Sequence, residues 1–225
     1  MIAMRGAALR YGERTVWSGL DLDVAAGEFV AVLGSNGSGK TSLLKVLLGL
    51  RRPSAGTVTV GGRPPRRGSD LIGYVPQHRS VPAHTPLRAR DLVRLGVDGH
   101  RWGPRLPRAD ARRRVGDALR EVGAEAFADV PVELLSGGEL QRVRVAQALA
   151  PGPRLLLCDE PLASLDAAHQ RIVSELVARR CREHRTAVVF VTHEVEPVLP
   201  FADRVLRMPG PAEAPAEAET ETEPA

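Results

Sequence analysis

The apolar positions of the first third fall in short runs separated by turns. Residues 19–24 form one run, 28–33 a second after the turn Ala25-Ala26-Gly27, and 57–60 a third that closes on Gly61-Gly62. Runs of this kind predict β-strands. The run 28–33 leads through a glycine-rich segment into residues 40–48, whose apolar spacing predicts a helix. From about residue 81 to 150 the spacing is helical, cut by Pro82, Pro86, Pro104, Pro107 and Pro131, and the segments 87–95 and 109–122 set apolar faces against arginines. Residues 154–159 are almost continuously apolar, as in a strand covered on both faces of a parallel sheet. A helix over 167–184, expected to bury Ile172, Val173, Leu176 and Val177, and another buried strand at 186–192 follow. Strands alternating with helices predict an α/β core with helices on both faces.

Composition narrows the class. With 43% hydrophobic and 26% charged residues in a chain of 225, the protein belongs with soluble globular chains and not with disordered or fibrous ones. The apolar stretches are short ones, such as 155–158 and 188–191, and fall far short of the roughly 18 residues that span a membrane. The first ten residues show no secretion signal, so the chain is expected in the cytoplasm. Cys158 and Cys181 are too few for a disulfide framework and read as reduced thiols. Residues 209–225 are almost entirely Pro, Ala, Glu and Thr and are expected to form a disordered tail. That tail holds Glu213, Glu217, Glu219, Glu221 and Glu223, and without them the formal net charge rises from +4 to +9. A basic body raises nucleic acid and anionic lipid as partners. The eight aromatic residues are too scattered to make a base-stacking platform, so no nucleic-acid partner is expected. Arginine supplies 29 of the 31 basic residues, and the only lysines are Lys40 and Lys45. Against that bias, a lysine marks a place where a compact ammonium is needed.

Gly34-Ser35-Asn36-Gly37-Ser38-Gly39-Lys40-Thr41 fits the phosphate-loop pattern and lies between a predicted strand and a predicted helix. Its backbone N–H groups curl around phosphates and the helix N-terminus adds partial positive charge. Lys40 reaches the terminal phosphates, and the Thr41 hydroxyl is suited to ligate Mg²⁺. The strand at 154–159 ends in Asp159 and Glu160, at the sheet edge where open α/β proteins hold ligands. Asp159 is the candidate for the Mg²⁺ shell, and Glu160 for polarising a water against a γ-phosphate. A third segment, Leu135-Ser136-Gly137-Gly138-Glu139-Leu140-Gln141-Arg142, opens a helix with a capping box from Ser136 and Glu139. Two glycines in its first turn weaken that helix unless something approaches its backbone, and an open helix N-terminus suits an anion.

Leu-Ser-Gly-Gly-Glu paired with the phosphate loop resembles the signature of ATP-binding cassette (ABC) ATPases, a likeness that spans residues 3 to about 208. It implies a P-loop NTPase cassette of the α/β class, with a mostly parallel core sheet, an antiparallel β subdomain and a helical subdomain at about 79–146. By the same resemblance Tyr11 stacks on adenine, Gln77 is the Q-loop glutamine that joins the Mg²⁺ shell, Ser164-Leu165-Asp166 is the D-loop, and His193 is the switch histidine. Two cassettes are expected to close head to tail around ATP, with Ser136, Gly137 and Gly138 of one facing the γ-phosphate held by Lys40 of the other. Cassettes that act on DNA insert long coiled coils between these motifs. Here 93 residues separate Thr41 from Leu135, broken by prolines and without heptads, which is a transporter-sized lobe.

An integral membrane permease and, indirectly, a solute-binding protein are the further partners the resemblance implies, with the cassette on the cytoplasmic face of the membrane. The stretch from Gly73 through Gly96 is similar to cassettes of zinc and manganese uptake systems, with iron-siderophore systems and non-transport cassettes as alternatives. His78, His84 and His100 lack the spacing of a ligand cluster and read as solvated surface, as do the arginines of 101–114.

Overall fold

The computed structural model describes residues 1–77, 87–98, 107–208 and 220–221. His78, His84, His100 and the arginines of 101–106 lie outside them, as does the acidic tail apart from Thr220 and Glu221. The strands are β1 (Ile2–Tyr11), β2 (Arg14–Val24), β3 (Phe29–Leu33), β4 (Ala55–Val60), β5 (Ile72–Val75), β6 (Leu155–Asp159), β7 (Ala187–Thr192), β8 (Arg204–Arg207) and β9 (Thr220–Glu221). The α-helices are α1 (Lys40–Leu47), α2 (Ala89–Asp98), α3 (Arg108–Glu121), α4 (Gly137–Leu149) and α5 (Ala167–His184). Sequence periodicity locates β3, α1, α5, β6 and β7 to within a residue or two. It does not single out β1, β5 or β8. Two residues assigned to the tail, Thr220 and Glu221, pair with β8.

Two sheets share the load. β2, β1 and β4 form an antiparallel sheet, and the core sheet runs β5-β6-β7-β3-β8-β9, parallel except for β9. Every residue of β3, β6 and β7 is buried. Their side chains alternate between two cores with the period of two that a strand imposes. Val30, Val32, Leu155, Leu157, Val189 and Val191 join α1 and the antiparallel sheet, while Phe29, Ala31, Leu156, Cys158, Val188 and Phe190 join α2 to α5. Phe29 and Phe190 stack with centroids 5.6 Å apart. Burying each such side chain contributes about 1.5–3 kcal/mol. This is why the predicted strands read as continuous apolar runs and not as alternations.

Ile172 departs from expectation. It is 40% exposed, because the buried face of α5 is set by Val173, Leu176, Val177 and Cys181, one step around the helix. Arg180 of α5 reaches Glu121 at the end of α3 at 3.1 Å and ties the helical lobe to the core. Both cysteines are buried and free, and burial pushes the Cys181 thiol up to about 11. Among the described residues no helix is long and apolar enough to cross a membrane.

The register fixes the place of the chemistry. β3, β7 and β6 are neighbours and parallel, with Leu33 opposite Thr192 and Val191 opposite Asp159, so their C-terminal ends lie side by side. The residues that follow them, Gly34, His193 and Glu160, therefore converge on one edge from positions far apart in sequence.

Candidate functional site

The loop Gly34–Gly39 leaves β3 and enters α1 through Gly39, whose φ of +94° is open only to glycine without strain. A β-carbon there would stand 2.5 Å from Val16 Cγ1 and 2.7 Å from Trp17 Cδ1. The start of α1 has no side-chain cap and no acid in its first turn, so its N–H groups stay available to an anion. Lys40 is buried at 5% exposure, and its ammonium donates to the carbonyls of Gly34 at 2.6 Å and Ser35 at 3.0 Å. The loop thus holds its own lysine over the helix end.

Thr41 Oγ1 donates to Asp159 Oδ1 at 3.1 Å, and the Tyr74 hydroxyl donates to Oδ2 at 3.2 Å. Burial raises the Asp159 carboxyl above its ordinary value, the two hydrogen bonds oppose this, and neighbouring Glu160 adds to the rise. A divalent cation would relieve that burial cost. Thr41 and Asp159 offer the hard oxygen pair that Mg²⁺ takes alongside nucleotide phosphates. Among the described residues no cluster of three or more His, Cys, Asp or Glu forms a metal cage of its own.

Glu160 sits just past β6 at φ 45°, a left-handed conformation unusual outside glycine and retained mainly at functional sites. Its N–H bonds the Val191 carbonyl at 2.9 Å, which holds the strained residue against β7. The carboxylate is 10% exposed and meets three groups from three segments: Gln77 Nε2 donates to Oε2 at 2.9 Å, His193 Nδ1 lies 3.2 Å from Oε2, and Lys40 Nζ lies 3.9 Å from Oε1. A carboxylate so held can accept a proton from a water while an ammonium and an imidazole orient around it.

Lys40, Thr41, Gln77 and Glu160 open on a cavity of about 530 Å³ that Tyr11, Arg14 and Asn36 also line, whereas His193 and Asp159 do not line it. The Tyr11 hydroxyl lies 3.5 Å from Ser42 Oγ. Arg14 and Tyr74 escaped the sequence reading. Arg14 faces Tyr11 across the two-residue turn Gly12-Glu13, and the hairpin register alone would have put both side chains on one face. Tyr74 needed the pairing of β5 with β6, which no local pattern announces.

Ser136, Gly137, Gly138 and Asp166 do not line that cavity. They form a second cluster, at the starts of α4 and α5. Ser136 caps α4 and exchanges hydrogen bonds with Glu139, whose carboxylate is held below its ordinary value first by the Ser136 N–H and then by its hydroxyl. Asp166 caps α5, accepting from the His169 N–H at 2.8 Å and lying as close to its ring Nδ1. The His169 ring in turn packs on Gly138, where a β-carbon would overlap it, whereas at Gly137 a β-carbon would meet only Leu165 at 3.9 Å. One of the two glycines is therefore explained within the chain. The other has room for a side chain.

A phosphate loop, an adjoining pair of acids and a capped helix bearing Ser-Gly-Gly-Glu define a P-loop ATPase of the cassette type. The model of the ABC transporter family matches residues 17–163, and the chain belongs to that family as an ATP-binding cassette with ATPase activity. It is 44% identical over 205 residues to the aliphatic sulfonates import ATP-binding protein SsuB 3 of Nocardia farcinica, covering 91% of this chain and 75% of that protein. Over 206 residues it is 38% identical to the zinc import ATP-binding protein ZnuC of Paramagnetospirillum magneticum, covering 92% and 72%. Among solved structures it is similar to the dimeric, post-hydrolysis state of an ATP-binding cassette bound to ADP and Pi. That match has a TM-score of 0.81 and 27% identity and covers 99% of this chain and 98% of the other.

Proposed function

We propose that this chain is the ATP-hydrolysing subunit of an importer and that it works as a pair of copies. The observation that carries the reading is the Glu160 carboxylate, held among Lys40, Gln77 and His193 at the end of β6. Gly34 to Thr41 bind the phosphates, Tyr11 stacks on adenine, and Thr41, Asp159 and Gln77 are the residues that would hold Mg²⁺. That ion, when bound, neutralises phosphate charge. Glu160 accepts the proton of the attacking water, and His193 holds the carboxylate and faces the γ-phosphate. Ser136, Gly137, Gly138 and Asp166 lie away from this cavity, so they serve it from a second copy placed head to tail. The cassette described as bound to ADP and Pi is dimeric, which supports this. An integral membrane permease, which the cassette meets at the cytoplasmic face, and indirectly a solute-binding protein complete the importer.

For the cargo, the relatives favour an aliphatic sulfonate over zinc or manganese. Sulfonate-import proteins match at 44%, 43% and 38% identity, against 38% for a zinc-import one. The test compares cells with and without this protein. Loss of growth on an aliphatic sulfonate as sole sulfur source, with normal growth on sulfate and normal zinc and manganese content, supports the sulfonate reading. Normal sulfonate growth with depleted zinc or manganese reinstates the metal one.

A further inference from the structure

Tyr11 is 38% exposed and lines the nucleotide-sized cavity, but its ring is not free on both sides. Arg51 lies over it, with Cζ 5.3 Å from the ring centroid, and Arg51 is not among the residues that line the cavity. The guanidinium thus lies against the ring without itself walling the cavity. Arg51 is fixed there by the end of α1, where the N–H groups of Leu50 and Arg51 both donate to the Lys45 carbonyl, at 2.9 and 3.2 Å. No acidic residue occurs between positions 29 and 69 to draw the guanidinium elsewhere. Tyr11 thus meets the segment that begins in the phosphate loop at two places: its hydroxyl lies near Ser42 in the first turn of α1, and its ring lies under Arg51, four residues past Leu47 at the helix end.

We propose that Arg51 is a positioning residue for the nucleotide base. It holds the Tyr11 ring by a cation–π contact so that the opposite face is presented, already ordered, to adenine. A ring fixed before binding loses less freedom when the base stacks on it, and that saving appears as affinity. The contact also joins the base platform to the phosphate helix, so the two ends of the nucleotide are read by parts that move together. The inference rests on the reading of Tyr11 as the adenine platform.

The test is equilibrium binding to the purified chain without Mg²⁺, in which a fluorescent ATP analogue is displaced either by ATP or by inorganic triphosphate. Arg51→Ala is expected to weaken ATP by about two- to fivefold, the size of a cation–π contact at an exposed site, and to leave triphosphate unchanged. Arg51→Lys should recover part of the loss and Arg51→Met none. In a Tyr11→Ala background the Arg51 substitution should have no further effect, because the two act as one unit. Equal losses for ATP and triphosphate would reduce Arg51 to a general positive charge and overturn the proposal. So would wild-type ATP affinity in Arg51→Ala while Tyr11→Ala binds weakly. If Tyr11→Ala itself binds ATP normally, the platform reading fails and the inference falls with it.

Discussion

Replacing Glu160 by glutamine changes one charged atom pair and almost no volume. The amide oxygen can keep the hydrogen bond from Gln77 that Oε2 now accepts at 2.9 Å, and the amide nitrogen then turns toward Lys40 Nζ, 3.9 Å from Oε1. Lys40 keeps the Gly34 and Ser35 carbonyls, so the phosphate loop should hold its shape and ATP affinity should stay within about threefold of wild type. Stability should fall, because the substitution removes one partner of a largely buried ion pair and leaves the Lys40 ammonium on the Gly34 and Ser35 carbonyls alone, a loss of up to about 3–5 kcal/mol. Turnover is different, because an amide cannot take a proton from water. Loss of a general base lowers kcat by about two to four orders of magnitude, equivalent to about 3–5 kcal/mol of barrier. Phosphate release by the purified chain measures kcat, and displacement of a fluorescent nucleotide measures affinity on the same preparation. Hydrolysis within about tenfold of wild type would remove Glu160 from the proton-transfer step. A fall in affinity as large as the fall in turnover would assign it to binding instead.

Three other outcomes follow from the geometry. Gly39→Ala forces a side chain into φ +94° against Val16 and Trp17, so about 1–3 kcal/mol of strain should lower Tm by several degrees, and an unchanged melt would refute the close packing at that turn. Lys40→Ala removes the ammonium from the loop and should weaken ATP binding about ten- to hundredfold in direct titration, with a smaller loss arguing that the lysine stays on the loop carbonyls. Asp166 is held below the ordinary carboxylate value by the His169 N–H and then by its ring, so its capping stability is present above that value and is lost as pH falls through the depressed one. Below about pH 5 the stability gap between wild type and Asp166→Asn in urea titrations should close as the solution is made more acidic, and a gap that widens there would reverse the sign of the argument.

The phosphate loop, the acids at the end of β6 and the capping box of α4 were all legible because each is a local chemical pattern. A glycine-rich turn between strand and helix, or a buried strand ending in carboxylates, is written in consecutive residues. The buried strands were legible for the same reason, since a strand covered on both faces can carry almost no polar residue. What local pattern could not supply was which strands are neighbours. The order of β6, β7 and β3 puts His193, Glu160 and Lys40 within hydrogen-bonding or ion-pair range, and it puts Tyr74 on Asp159. Ser136, Gly138 and Asp166, which were assigned to the nucleotide of a second copy, form a separate cluster that does not line this chain's own cavity. Ile172 shows the limit on a single helix, where an apolar residue at the edge of the stripe is buried or exposed according to how the helix is rotated on the sheet. Periodicity constrains that angle loosely, and packing fixes it. Contacts such as Arg51 on Tyr11 or His169 on Gly138 belong to the same class: they arise from the ends of separate elements, and only the assembled fold brings them together.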